Sequence, residues 1–516
     1  MKTIRYSMLV IALMITPVMG FAQSHFTCIN AAGPHPVGLH VIEQYDQSRG
    51  YRGATDPYNG KATTGERARP IQTLVWYPAE KGSGREMNVG SYMGLGGTSD
   101  EFPATLTERQ RLEIRFVNSW IGTLTADRAK TELAEPMTAR RDATTSAGKY
   151  PVVIYAPSYR APAFENADLC EFLASQGYVV IASPSVGQSP EGMKDDLEGA
   201  ETQMDDIQFL IGYANGLPNA DTDQLAVMGY SWGGLANVMA AAKDSRIDAL
   251  VSLDGSVRSY PDIIDQSQFL APERITVPML YVAATPRQLE DLPSDMNQER
   301  SFLNKMKYAD LYRVTLAPYV HSNFSVMGQR FLADGAYGNY DQHELSVANS
   351  WLETYVLYFL DAYLKGDATG RTFLELSPNQ TRAPAHLFTV YRTKAQGAPP
   401  NRASFAAELA SKGFDQALLT YQATQKREPG FALSDSELNS WGYKLLRDGE
   451  VRSAIAILRL NTEIHAESWN AFDSLGEAYA GNGNKPLAIE AYRKSLSLNP
   501  GNRNAENQLV KLGEKH

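Results

Sequence analysis

Gly229-Tyr230-Ser231-Trp232-Gly233-Gly234 constrains this chain more than any other stretch. An apolar run, Leu225-Ala226-Val227-Met228, precedes it, and Leu235-Ala236-Asn237-Val238-Met239-Ala240-Ala241-Ala242 follows. The three pieces read as strand, tight turn and helix, the context of a nucleophile elbow. Such a turn forces the serine into a backbone conformation that L-residues rarely adopt. Glycine at the flanking positions avoids clashes with the neighbouring strand and helix. The Ser231 hydroxyl then stands clear of the sheet. The Trp232 N–H points at the same spot, beside a helix N-terminus, where negative charge is favoured. A bare G-x-S-x-G is a weak signal; the strand–turn–helix context gives it weight.

The flanking sequence repeats the alternation. Pro151-Val152-Val153-Ile154-Tyr155-Ala156 and Tyr178-Val179-Val180-Ile181-Ala182 are continuous apolar runs. They suit parallel strands covered on both faces. Helices are predicted at 166–176, 197–213 and 347–364, the last ending at Lys365-Gly366, a C-cap signal. Strands are predicted at 247–253, 275–283 and 311–316. Strands alternating with helices imply an α/β fold with a doubly wound parallel sheet. Residues 37–42 and 71–76 alternate like strands, with a polar stretch holding Asp46 and Arg49 between them. Residues 84–149 read as an insertion, a candidate cap over the active site. Within it, 108–119 carries Leu112, Phe116 and Val117 at helical spacing.

The bulk properties set bounds. At 516 residues and 43% hydrophobic, the chain has material for a large core and a second domain. A net charge of -10 argues against a nucleic-acid partner and offers no basic patch for anionic lipid. Met1-Lys2-Thr3-Ile4-Arg5, an apolar run over 8–19 and Gly20-Phe21-Ala22 form a secretory signal pattern, with cleavage expected after Ala22. The run is short and interrupted by Pro17, unlike a membrane span. The mature chain is therefore expected in the periplasm or outside the cell. It keeps Cys28 and Cys170, which either pair in that oxidising compartment or remain free, Cys170 lying in an apolar-periodic helix. Neither H-E-x-x-H nor paired Cys-x-x-Cys occurs, and no metal or organic cofactor is expected.

The tail differs in kind. Trp469, Phe472, Leu475, Gly476, Tyr479, Gly483, Ala488, Tyr492 and Pro500 follow the tetratricopeptide pattern. Trp441, Gly442, Leu445, Gly449, Ala454 and Leu458 fall at matching offsets upstream. In a looser third copy, Ala417, Tyr421 and Pro429 repeat the spacing of Ala488, Tyr492 and Pro500. Helix pairs of this kind cannot bury their apolar faces alone, so neighbours must stack. A last helix over 504–512 would cap the stack.

A serine hydroxyl needs a base in contact with it, and the base needs an orienting acid. Both are expected after the serine in the chain, on loops at strand ends. Asp254 ends the run Ala249-Leu250-Val251-Ser252-Leu253, one strand past the elbow. Asp291 and Asp295 are rivals, but no acid directly follows the strand before them. His321 sits just past the strand 311–316; His343 lies in a polar stretch leading into a helix. His25, His35, His40, His386, His465 and His516 fall outside the expected order. Two backbone amides should bind the oxyanion: that of Trp232, and one from the loop Pro157-Ser158-Tyr159-Arg160-Ala161, assigned to Tyr159.

Residues 36–366 resemble the platelet-activating-factor acetylhydrolase and dienelactone-hydrolase-like branch of the α/β-hydrolases. The resemblance is carried by Arg69-Pro70, Val75-Trp76-Tyr77-Pro78, Leu173-Ala174-Ser175-Gln176-Gly177-Tyr178, the elbow, Val320-His321-Ser322-Asn323-Phe324 and the final helix, 359–366. It implies an α/β-hydrolase fold and the same reaction class. It also implies that the triad acid is Asp254. The family usually carries His-Gly where this chain has Pro157-Ser158, and often His where it has Tyr230. A dienelactone hydrolase proper would use a cysteine nucleophile, whereas this chain has Ser231. The expected organisation is a signal peptide at 1–22, a hydrolase domain at 23–400 and helical repeats at 401–516. The expected activity is cleavage of a small-molecule or lipid-like carboxylic ester. The same triad would also permit an amide or peptide substrate. A protein working chiefly through its tail, by partner binding or self-association, is the reading from a different class.

Overall fold

The computed structural model describes residues 28–56, 59–98, 102, 125–284, 301–332 and 338–514. The signal segment, the helix expected at 108–119, Asp291, Asp295, His25 and His516 lie outside the described residues. The chain forms two compact units, dividing between Gln396 and Gly397.

Described residues of the first unit build a sheet of eleven strands: β1 Val37–Gly50, β2 Ala68–Pro78, β3 Arg85–Asn88, β4 Pro136–Arg141, β5 Tyr150–Ala156, β6 Val179–Ala182, β7 Ala220–Tyr230, β8 Ala249–Leu253, β9 Met279–Ala284, β10 Leu311–Leu316 and β11 Phe388–Thr393. Their spatial order is β11-β10-β9-β8-β7-β5-β6-β2-β1-β4-β3. From β6 through β5, β7, β8 and β9 to β10 all neighbours are parallel.

The apolar runs explain the layering. Successive side chains of a strand point to opposite faces. Val153, Tyr155, Ala226, Met228, Val251 and Leu253 join one buried layer with the helices Ala167–Ser175 and Gln342–Tyr363. Val152, Ile154, Leu225, Val227 and Leu250 join the other, with Leu197–Ala214 and Trp232–Lys243. A sheet covered on both faces needs no polar side, hence the unbroken hydrophobic strands. From β5 the chain steps outward to β6, then returns to the other side of β5 as β7. That reversal opens a crevice at the carboxyl ends of β5 and β7, where ligands of open α/β sheets bind.

Several elements differ from the sequence-based expectation. β1 extends to Gly50 and absorbs the polar stretch with Asp46 and Arg49. Its charges are compensated: Arg49 reaches Asp46 at 2.6 Å and Asp206 at 2.7 Å, and buried Arg69 meets Asp206 at 2.6 Å. Within 84–149, β3 and β4 lengthen the sheet at the edge remote from β7. β11, which was not anticipated, adds antiparallel to β10 and closes the other end. No helix among the described residues is long and apolar enough to cross a membrane.

The second unit is helical. Asp435–Arg447 with Val451–Ile464, and Trp469–Gly481 with Lys485–Leu498, are two helix pairs whose starts are shifted by 34 residues. Arg402–Lys412 and Ala417–Arg427 form an earlier pair, and Arg503–Lys511 follows the last. Ala417, Ala454 and Ala488 are buried at corresponding places, as are Tyr421, Leu458 and Tyr492. Gly442 and Gly476 explain the close fit within pairs. A Cβ on Gly442 would come within 2.5 Å of the Leu458 side chain, and one on Gly476 within 2.7 Å of the Tyr492 ring.

Candidate active site

The elbow is strained as its sequence requires. Ser231 sits at φ 52°, ψ -115°, between β7 and the helix Trp232–Lys243. A Cβ at Gly229 would lie 2.2 Å from the Gly233 carbonyl oxygen, and one at Gly233 would lie 2.1 Å from that of Ala156. Either contact is far inside van der Waals range, so only glycine lets the turn close. The Ser231 amide donates to Leu253 O at 3.0 Å and its carbonyl accepts from the Ser256 amide at 2.8 Å. The nucleophile candidate is thus tied to the end of β8, which delivers Asp254.

Asp254 is also left-handed, at φ 45°. Its amide donates to Val282 O at 2.6 Å, and its Oδ1 accepts from the Ala284 amide at 3.2 Å. The remaining carboxylate oxygen, Oδ2, lies 2.6 Å from His321 Nδ1. His321 Nε2 lies 2.8 Å from Ser231 Oγ. Carboxylate, imidazole and hydroxyl therefore form one continuous chain. The imidazole is 55% exposed and the Asp254 side chain 14%, which leaves the imidazole accessible and the carboxylate screened.

His321 opens a short 3₁₀ turn, His321–Phe324, separated from the end of β10 by four residues. The Asn323 side chain accepts from the Val320 amide at 2.7 Å. Tyr230 donates its hydroxyl to His321 O at 2.8 Å. Tyr230 occupies the position noted in the sequence only as a departure from the family pattern. It fastens the residue before Ser231 to the backbone of His321, a contact that spacing did not reveal.

The loop after β5 lies against the elbow. The Tyr159 and Trp232 rings meet edge to face at 5.7 Å. Pro157 O accepts from Gln203 Nε2 at 2.8 Å, and the Tyr159 hydroxyl donates to Met193 O. Glu165, buried, accepts from both the amide and hydroxyl of Ser158, at 2.8 and 2.6 Å. Burial pushes the Glu165 carboxyl up to about 7 against the opposing effect of these donors.

The other histidines stand elsewhere. His343 is the second residue of the helix Gln342–Tyr363. His40 pairs with Tyr77 and Asp142, His386 with Glu344, and His465 with Leu433 O; His35 packs edge-on against Tyr150. Both cysteines are free: Cys170 is buried, and Cys28 Sγ lies 3.9 Å from Asp168. Among the described residues no group of three or more His, Cys, Asp or Glu is arranged to hold a metal ion.

The sheet order and the elbow at its switch point define an α/β-hydrolase fold. A family match and a sequence relative agree at the level of a hydrolase. Residues 126–347 match the X-Pro dipeptidyl-peptidase (S15) family. A Synechocystis sp. protein named "Putative carboxymethylenebutenolidase" is 31% identical over 118 residues, which cover 20% of this chain and 44% of that protein. This chain thus spans less than half the length of the curated relative it matches. A solved ferulic acid esterase from Streptomyces cinnamoneus is 19% identical, with a TM-score of 0.49 over 71% of this chain and 99% of that one. On the family and relative matches the chain is hydrolase-like.

Proposed function

We propose that the protein is a serine hydrolase of carboxylic esters working through Ser231, His321 and Asp254. His321 Nε2 takes the Ser231 proton as Oγ attacks the ester carbonyl carbon. Amides of Trp232 and Tyr159 bind the resulting oxyanion. As the tetrahedral intermediate collapses, the ester C–O bond breaks and His321 returns the proton to the departing alcohol. Water, deprotonated by the same imidazole, then attacks the acyl-enzyme and releases the acid. Asp254 holds the Nδ1–H tautomer and stabilises the imidazolium. One observation carries this reading: the continuous chain from Asp254 Oδ2 through His321 to Ser231 Oγ.

The test is a panel of acyl esters of varied chain length on wild type and Ser231→Ala. Loss of the nucleophile alone should lower kcat on the order of a millionfold. Near-native turnover in the variant would remove the proposal. The match to a peptidase family favours a second reading, in which the same triad cleaves an amide. An anilide of a dipeptide with proline at its second position, assayed beside the esters, separates the two by kcat/KM. We also infer export, with cleavage after Ala22. N-terminal sequencing of the mature protein, with residue 23 as its expected start, checks it. The helix pairs are proposed as tetratricopeptide-like repeats that bind a protein partner or a second copy.

A further inference from the structure

An oxyanion donor works only if its N–H is already aimed before charge develops. Trp232 is aimed by the helix it begins. Tyr159 has no such support, because it lies in a loop past the end of β5. The strength of the proposed second donor therefore depends on whatever fixes the loop, and this inference rests on the hydrolase reading above.

The side chains around the loop supply the fixing. We propose that Glu165 is a positioning residue for the oxyanion hole, gripping Ser158 through both carboxylate oxygens and thereby setting the direction of the Tyr159 amide. Oε2 accepts the Ser158 N–H at 2.8 Å and Oε1 accepts its hydroxyl at 2.6 Å. Two bonds from one planar group to one residue fix both a peptide plane and a side-chain rotamer. Oε2 also accepts from the Tyr155 hydroxyl at 3.3 Å. The Tyr155 oxygen in turn accepts from Asn166 Nδ2 at 2.7 Å. Asn166 Oδ1 accepts from the Val326 amide at 2.9 Å, and Glu165 O from the Met327 amide at 3.2 Å. Val326 and Met327 follow the turn that carries His321 after one residue, Ser325. Glu165 and Asn166 thus fasten the donor loop and the segment of the base to one another.

Space-filling alone does not account for an acid here. Glu165 is 3% exposed, and a carboxyl at that depth is costly unless its oxygens are satisfied. An apolar side chain would fill the volume without that cost, but it would release Ser158.

The test compares kcat and KM for ester hydrolysis in wild type, Glu165→Gln, Glu165→Ala and Ser158→Ala, with thermal unfolding of each. Gln retains an acceptor for the Ser158 amide, and the serine hydroxyl can turn to accept from its NH₂. Its kcat should stay within about threefold of wild type. Ala removes both bonds to Ser158, so kcat should fall about 30-fold or more with KM within about threefold, the pattern of an interaction made only in the transition state. Ser158→Ala loses one bond of two and should fall several-fold. A folded Glu165→Ala with wild-type kcat, or equal losses in the Gln and Ala variants, would overturn the assignment. If Glu165→Ala does not fold, Ser158→Ala decides, and an unchanged kcat there overturns it. A wild type that neither hydrolyses esters nor takes up a phosphonate fails the hydrolase reading itself and this inference with it. An active wild type with unaffected variants fails this inference alone.

Discussion

At the scale of single residues, the site is built on two strained backbones. Ser231 and Asp254 both adopt positive φ, at 52° and 45°, without being glycine. Each such residue costs on the order of 1–3 kcal/mol, which the surrounding hydrogen bonds must offset. The strain aims a hydroxyl and a carboxylate at the same imidazole. In the proposed reaction Asp254 accepts from Nδ1, leaving Nε2 to receive the serine proton. An amide at 254 would present N–H to Nδ1 and favour the wrong tautomer. Asp254→Asn should therefore lower kcat by about 10⁴ with KM little changed, measured on the best ester of the panel. The meeting of Ser231, Asp254 and His321 was legible in the sequence because Ser231 and Asp254 directly follow strands and His321 lies in the stretch after a third, and strand ends can be counted. Tyr230 and Glu165 were not. Their partners, His321 O and Ser158, are hydrogen-bonding groups with no periodic signature.

At the scale of elements, continuous apolar runs gave the parallel strands, and short edge strands escaped. β3, Arg85–Asn88, holds one buried residue in four and is too polar to be read as a strand. β11 buries only Phe388 fully, so alternation is its sole signal, and its place beside β10 depends on pairing at long range. The helix pairs of the second unit were legible because the spacing of small and large residues repeats: Gly442 against Leu458, Gly476 against Tyr492. That fit is testable. Gly476→Ala drives a methyl toward the Tyr492 ring and should destabilise the second unit by about 1–3 kcal/mol in urea unfolding. Ester hydrolysis under native conditions should be unchanged, because every proposed site residue lies in the first unit.

At the scale of the whole molecule, buried acids set the pH response. Glu165, Glu171 and Glu353 are each pushed by burial from 4.5 to about 7. A folded pKa above the unfolded one means that the native state holds the proton more tightly. The stability this contributes is complete below 4.5 and is lost as pH rises through about 7. Glu353, which accepts from Asn30 and Asn349, offers a clean test away from the proposed catalytic chain. Relative to wild type, Glu353→Gln should gain a few kcal/mol between about pH 5 and pH 8, read from paired denaturant curves. A difference independent of pH would show that the carboxyl does not titrate in that window.

The central claim is that Ser231 is the nucleophile of an assembled hydrolase site. Its most direct test is treatment of the intact protein with a fluorophosphonate, followed by peptide mapping. The account predicts one adduct, on the peptide containing Ser231, formed in step with loss of ester hydrolysis and absent from Ser231→Ala. No adduct on an active enzyme, or an adduct at another residue that abolishes activity, would contradict it.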